Sequence, residues 1–149
     1  MSLRTDHMYL IILLEYIEKN AFQDAHCLMI ACIDLKNTIK STWEEFSSLG
    51  IDGYHNQVYR KIFQLMFSAT GKQALQIFET VEIVSKSDFP ERWDTLIHDC
   101  VSVLSDDNHA QNLIVFKLMR KITKKYVWSD RSDALYSEII KVINESHER

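Results

Sequence analysis

Glycine and proline are nearly absent from this sequence: Gly50, Gly53, Gly71 and Pro90 are the only examples in 149 residues. A sandwich or barrel of many short strands needs a turn residue every few positions, so those architectures are excluded and helices are the expected element. A strong charge of one sign is also missing. The net charge of −4 at pH 7 gives too weak a field to draw the whole molecule to nucleic acid or to an anionic membrane.

Long hydrophobic runs are lacking too. Met8 to Leu14 falls far short of the roughly 20 apolar residues that cross a bilayer. Glu15 and Glu18 interrupt the run, and no small-x-small cleavage site follows, so neither a membrane-inserted segment nor a secretory signal is expected. The three cysteines, Cys27, Cys32 and Cys100, have no C-x-x-C spacing and lie among apolar neighbours. They read as buried thiols of a soluble protein in a reducing compartment.

Catalytic patterns are the last absence. His26 adjoins Cys27, and His98 and Cys100 point to different faces of one helix, so the six histidines and three cysteines make no zinc spacing. There is no Gly-rich phosphate loop, nucleophile elbow or repeated Glu-x-x-His pair. Asp106 and Asp107 sit in a polar break where water would solvate both carboxylates, so they read as a turn and cap rather than an acid/base pair. No metal, cofactor or enzymatic activity is expected; only turnover lost on changing His98 or Asp99 would point to an enzyme.

What is present is apolar periodicity. Hydrophobic residues make up 46% of the chain, enough for one core, so a single domain over residues 1–149 is expected. Seven segments repeat at helical spacing. The first, Met8 to Lys19, is apolar almost all round and should be largely buried. The second, Asp24 to Phe46, is capped by Asp24 and carries Leu28, Ala31, Cys32, Leu35 and Ile39 on one face. The third, Asp52 to Ala69, aligns Val58, Ile62, Leu65 and Met66; the fourth, Lys72 to Lys86, aligns Leu75, Phe78 and Val81. Asp88-Phe89-Pro90 is a stop and restart, with Asp88 capping a fifth helix, Glu91 to Ser105, that buries Trp93, Ile97, Cys100 and Leu104. Helix six, His109 to Tyr126, presents Val115, Met119, Ile122 and Tyr126, and helix seven, Ser132 to Ser146, presents Leu135, Ile139, Val142 and Ile143.

Alternate helices start near residues 24, 71 and 108, intervals of about 47 and about 37 residues, around the roughly 40 to 47 of HEAT-like two-helix repeats. Periodicity alone leaves both a solenoid of stacked hairpins and a closed bundle open. Two surface patterns stand out. Lys117, Arg120, Lys121, Lys124 and Lys125 form one basic stripe on helix six, which reads as a solvated outer face or as a grip for phosphate or an acidic partner. No base-stacking aromatics interleave with it, so nucleic acid is not an expected partner. Phe63 and Phe67 fall well round helix three from its main stripe, as in a sandwiched helix or a partner surface. Trp43, Trp93 and Trp128 are expected to fill gaps between repeats.

The segment Asp88-Phe89-Pro90-Glu91-Arg92-Trp93, followed by Leu96 and Ile97, resembles the D-F-P-x-x-W-x-x-L signature of β-karyopherins. Leu35 to Lys40 with Trp43 resembles that family's second-repeat helix. Gln64-Leu65-Met66 with Ser68, Lys124-Lys125-Tyr126, and Arg131, Ser132, Leu135, Glu138, Ile139 and Val142 resemble the exportin branch that returns importin-α to the cytoplasm. The similarity runs from about residue 10 to 143. Asp94 stands where the family usually has proline, so helix five need not start with the family's geometry.

The resemblance implies a right-handed superhelix of HEAT-like hairpins, here about three and a half, forming one N-terminal repeat domain of a receptor that shuttles between nucleus and cytoplasm. It implies binding of the small GTPase Ran in its GTP form, with importin-α as cargo once the remaining repeats are present. The family meets the GTPase through the inner, second helix of each hairpin, here helices one, three, five and seven. Asn56, Arg60 and Gln64 on helix three and Thr95, Asp99 and Ser102 on helix five project away from the apolar stripes and are the candidate contacts. The first helix resembles the second helix of a hairpin whose mate the chain lacks, so a fragment or truncated product is expected, and the uncovered helix is expected to form a homodimer, to swap or to rearrange. The rival reading is a helical adaptor that binds acidic lipid headgroups or an acidic protein through the helix-six stripe, without membrane insertion.

Overall fold

A computed structural model describes residues 3–20, 26–47 and 53–126, with four further helical positions, Ser137, Ile140, Lys141 and Asn144. The described residues are all-α, with six helices: α1 (Leu3–Asn20), α2 (His26–Ser47), α3 (Tyr54–Ser68), α4 (Gly71–Asp88), α5 (Leu96–Ser102) and α6 (His109–Tyr126). The chain divides into two compact units, Met1–Ser87 and Asp88–Arg149. The expected seventh helix, Trp128 and the Asp24 cap lie outside the described residues, apart from the four helical positions.

The first unit is built on α1. Leu10, Leu13, Leu14 and Ile17 recur at i, i+3, i+4 and i+7 and are all buried, because α1 packs against both α2 and α3. Its opposite side is open, with Met8 and Ile12 62% and 60% exposed. The expectation that this helix is largely buried is thus corrected to a half-covered one. The α2 stripe Leu28, Ala31, Cys32, Leu35 and Ile39 is buried as the spacing indicates, and so is the α3 stripe Val58, Ile62, Leu65 and Met66. At the end of α2, buried Trp43 meets His55 edge-on with ring centroids 5.2 Å apart, and Tyr59 lies at 6.3 Å. That aromatic group ties α2 to the start of α3.

Two ion pairs mark the register of the stack. Lys36 of α2 reaches Glu79 of α4 at 2.8 Å, and Lys61 of α3 reaches Glu18 of α1 at 3.0 Å. Both pairs are separated by 43 residues, so alternate helices are neighbours at one constant period. An up-and-down bundle closes by packing each helix against the next in sequence, whereas a hairpin stack pairs alternate helices. The first unit follows the HEAT-like stack.

Helix α4 departs from its expected phase. Leu75 is 56% exposed and Phe78 only half-buried; the buried side carries Gln73, Ile77, Thr80, Val81, Val84, Ser85 and Asp88. Polar residues are admitted there because hydroxyls can bond back to their own helix. Thr80 Oγ1 donates to the Gln76 carbonyl at 2.9 Å, and Ser85 Oγ to the Glu82 carbonyl at 3.0 Å. Helix α3 starts after Gly53, whose φ of 74° lies in the left-handed region and whose carbonyl accepts the Gln57 N–H at 3.0 Å.

In the second unit, α5 starts at Leu96, not at Glu91. Asp88 is the last residue of α4, and its backbone carbonyl accepts the N–H groups of Arg92 at 2.8 Å and Trp93 at 3.1 Å. Residues 89–95 are therefore a compact turn around Pro90, and Thr95 rather than Asp88 precedes the helix. Phe89, Trp93, Leu96, Ile97 and Cys100 are buried, while Leu104 is half-buried. Helix α5 packs on α6, which buries Val115, Leu118 and Ile122. Leu118 belongs to that face; Met119 is only half-buried. Asn108 Oδ1 accepts the Gln111 N–H at 3.0 Å, so the cap of α6 is Asn108 and Asp106–Asp107 form the turn before it.

Replacing Leu14 by Ala should lower stability by about 2–5 kcal/mol through lost burial and a residual cavity. Ile12→Ala, on the open side of the same helix, should stay within about 0.5 kcal/mol at a concentration low enough to keep the chain monomeric. Urea unfolding followed by circular dichroism measures both; equal losses would contradict the half-covered helix.

Candidate protein-docking surfaces

Three exposed faces remain once the cores are accounted for. On α3, Asn56, Arg60 and Gln64 follow one another at i, i+4 and i+8, so they form a row opposite the Val58–Ile62–Leu65 stripe. All three are exposed. The adjoining Lys61 is turned to Glu18 of α1, which leaves Arg60 as the cation of this row. Phe63 and Phe67 run beside it, half-buried, with ring centroids 5.2 Å apart and planes at 81°. An edge-to-face aromatic pair beside an arginine and two amides is the composition of an interface centre rather than of a plain solvated face.

On α5 the other three candidate residues cluster. Thr95 Oγ1 donates to Asp99 Oδ2 at 3.1 Å, and Ser102 Oγ donates to the Asp99 backbone carbonyl at 2.7 Å. Thr95 and Ser102 are exposed and Asp99 is half-buried. The α3 row belongs to the first unit and the α5 group to the second. Each is a small polar site on its own element. The family resemblance points to helices three and five, and the positions off their apolar stripes give both rows. The sequence marks Phe63 and Phe67 separately, as a sandwiched side or a partner surface; their i, i+4 spacing next to Arg60 and Gln64 is the signal that they adjoin the row.

The third face is on α6, where Lys117, Arg120, Lys121 and Lys124 are all exposed, opposite Val115, Leu118 and Ile122. Among the described residues, no group of three or more histidines, cysteines or carboxylates is placed to hold a metal ion. No helix among them is long and apolar enough to cross a membrane.

The cysteines do not form a site. Cys27 is exposed, which corrects its expected burial, whereas Cys32 and Cys100 are buried. Burial pushes the Cys32 thiol up to about 11. Burial, with the Asp99 carboxylate as a lesser cause, pushes Cys100 up to about 12.

Stacked helical hairpins place the chain among helical-repeat proteins. The curated relatives narrow the class. The chain is 35% identical over 124 residues to the importin-alpha re-exporter of Schizosaccharomyces pombe, covering 81% of this chain and 13% of that protein. It is 33% identical over 111 residues to the importin alpha re-exporter of Saccharomyces cerevisiae, covering 73% of this chain and 12% of the relative. Exportin-2 of Oreochromis niloticus is 28% identical over 147 residues, covering 96% of this chain and 15% of the relative. No family model matches the chain, and no solved structure matches it significantly. The chain belongs to the importin-α re-exporter family of exportins. It spans 12 to 15% of the length of these relatives.

A thiol held protonated by burial favours the fold fully below its unfolded value, 9.0 for Cys32 and Cys100, and ceases to do so as pH rises through the folded values. The urea midpoint should therefore fall as pH is raised from about 9 towards 11, and less so in Cys32→Ala. At pH 8, iodoacetamide should modify Cys27 well before the other two thiols, as read by mass spectrometry. Equal rates at all three would contradict the placement.

Proposed function

We propose that this chain is the Ran-binding N-terminal part of a nuclear export receptor and binds Ran in its GTP form for the return of importin-α to the cytoplasm. The observation that carries the reading is the α3 row, in which exposed Asn56, Arg60 and Gln64 lie beside the Phe63–Phe67 pair. Thr95, Asp99 and Ser102 on α5 are the second group of contacts. Family membership and the hairpin stack support the assignment. Residues 1–149 act in it as one repeat domain. Importin-α binding belongs to the longer receptor, which shuttles between nucleus and cytoplasm. The role needs no catalysis, since a receptor works by binding one nucleotide state of its GTPase in preference to the other.

The proposal extends to self-association. Exposed Met8, Ile12 and Tyr16 recur at i, i+4 and i+8 along α1, an apolar stripe that a second copy of the chain can cover.

The chain should be captured by Ran loaded with a non-hydrolysable GTP analogue and not by Ran loaded with GDP. Arg60→Glu should weaken capture by at least about tenfold, as expected for a central arginine of an interface. Equal capture of both nucleotide forms, or an Arg60→Glu variant that binds as tightly as the parent, would overturn the proposal. In sedimentation the parent should run as a dimer and Ile12→Glu as a monomer; a parent that stays monomeric at high concentration would rule out the α1 dimer.

A further inference from the structure

The exposed face of α6 is more than a solvated cationic stripe. A rotation of about 100° per residue brings Leu113, Phe116, Lys117, Arg120, Lys121 and Lys124 to one side of the helix, centred opposite Val115, Leu118 and Ile122. Leu113 is 60% and Phe116 55% exposed. A face that served only solubility would have no use for two exposed bulky apolar side chains at its N-terminal end. They are on the wrong side of the helix to belong to its core.

The cations of α6 stand out by their clustering. Elsewhere in the described residues Lys36, Lys61, Lys86 and Arg92 each lie 2.8 to 3.3 Å from a carboxylate, while Lys19, Lys40, Arg60 and Lys72, which are in no such pair, are scattered over four helices. None of the ion pairs among the described residues engages Lys117, Arg120, Lys121 or Lys124. In a chain of net charge −4, four such cations on one face form a local field of opposite sign to the whole. That field selects an acidic ligand, and the apolar pair selects one with bulky side chains of its own.

The geometry favours a peptide over a membrane. From Leu113 to Lys124 the strip is roughly 17 Å long, about three helical turns. Two apolar side chains bury too little for stable attachment to a bilayer, which takes a wide apolar face or a lipid anchor. Three turns of an amphipathic helix need only such a strip.

We propose that the exposed face of α6 docks an acidic amphipathic segment of a protein partner, with its carboxylates on Lys117, Arg120, Lys121 and Lys124 and its apolar side chains on Leu113 and Phe116. This surface uses none of the residues in the proposed Ran contact, so the two assignments stand or fall separately.

The test is fluorescence anisotropy of the full chain with a fluorescein-labelled designed helical peptide of about 14 residues, its leucine stripe flanked by glutamates, long enough to cover the strip. A second peptide carries glutamine for each glutamate, and phosphatidylserine vesicles form a third arm. The glutamate peptide should bind, the glutamine peptide should not, and salt raised to about 0.5 M should abolish binding. Both Leu113→Ser/Phe116→Ser and Lys117→Glu/Arg120→Glu should weaken binding at least about tenfold, with an unchanged urea midpoint because all four positions are exposed. No binding of the glutamate peptide, equal binding of the glutamine peptide, unaffected binding in either variant, or capture by vesicles without peptide binding would each overturn the proposal.

Discussion

The buried stripe of α1 is what the first unit depends on. Leu10, Leu13, Leu14 and Ile17 cannot be covered by α1 itself, and each such side chain contributes about 1.5–3 kcal/mol when fully removed from water. They are covered because α2 and α3 both lie against that one side. With both there, α3 is the neighbour of α1 two elements on, and the Lys36–Glu79 pair puts α4 beside α2 in the same way. The two ion pairs at the common 43-residue separation follow from that arrangement. As partly exposed pairs they contribute at most about 1 kcal/mol each, so they report register more than they create it.

The same constraint explains where polar chemistry is free to collect. A helix in a hairpin stack spends one side on its neighbours and leaves the other for partners. On α3 that free side carries Arg60, two amides and a pair of phenylalanines; on α6 it carries four cations and two apolar side chains. These are exposed faces of different character on different elements. The D-F-P-x-x-W segment, by contrast, is architectural. Asp88, Phe89 and Trp93 are buried, and the Asp88 carbonyl closes the turn by accepting two N–H groups. The residues that carry the family likeness most clearly thus hold the chain between α4 and α5.

Much of the fold was legible in the sequence where one residue type dominated a face. The stripes of α2 and α3 are aliphatic throughout, and their phase read correctly. On α4 the buried face contains Gln73, Thr80 and Ser85, so hydrophobic spacing pointed instead to Leu75, which faces solvent; only back-bonded hydroxyls made the true face acceptable. Asp88 before a proline reads as a helix start, but here a backbone carbonyl, which leaves no mark in sequence, turns the chain and delays α5 to Leu96. Helix α1 is apolar on both sides in sequence, and only the positions of its neighbours distinguish Leu14 from Ile12. The candidate contacts were legible as residues off the stripes. The hydrogen-bonded grouping of Thr95, Asp99 and Ser102 and the edge-to-face pair beside Arg60 depend on side-chain geometry and were not.

The free side of α3 is the surface proposed to recognise the GTP form of Ran. Amide hydrogen–deuterium exchange of the chain, alone and with Ran bound to a non-hydrolysable GTP analogue, tests that most directly. The account predicts slowed exchange in peptides from α3 and α5 and unchanged exchange in α6. Protection confined to α6, or no protection at a Ran concentration that saturates binding, would contradict it.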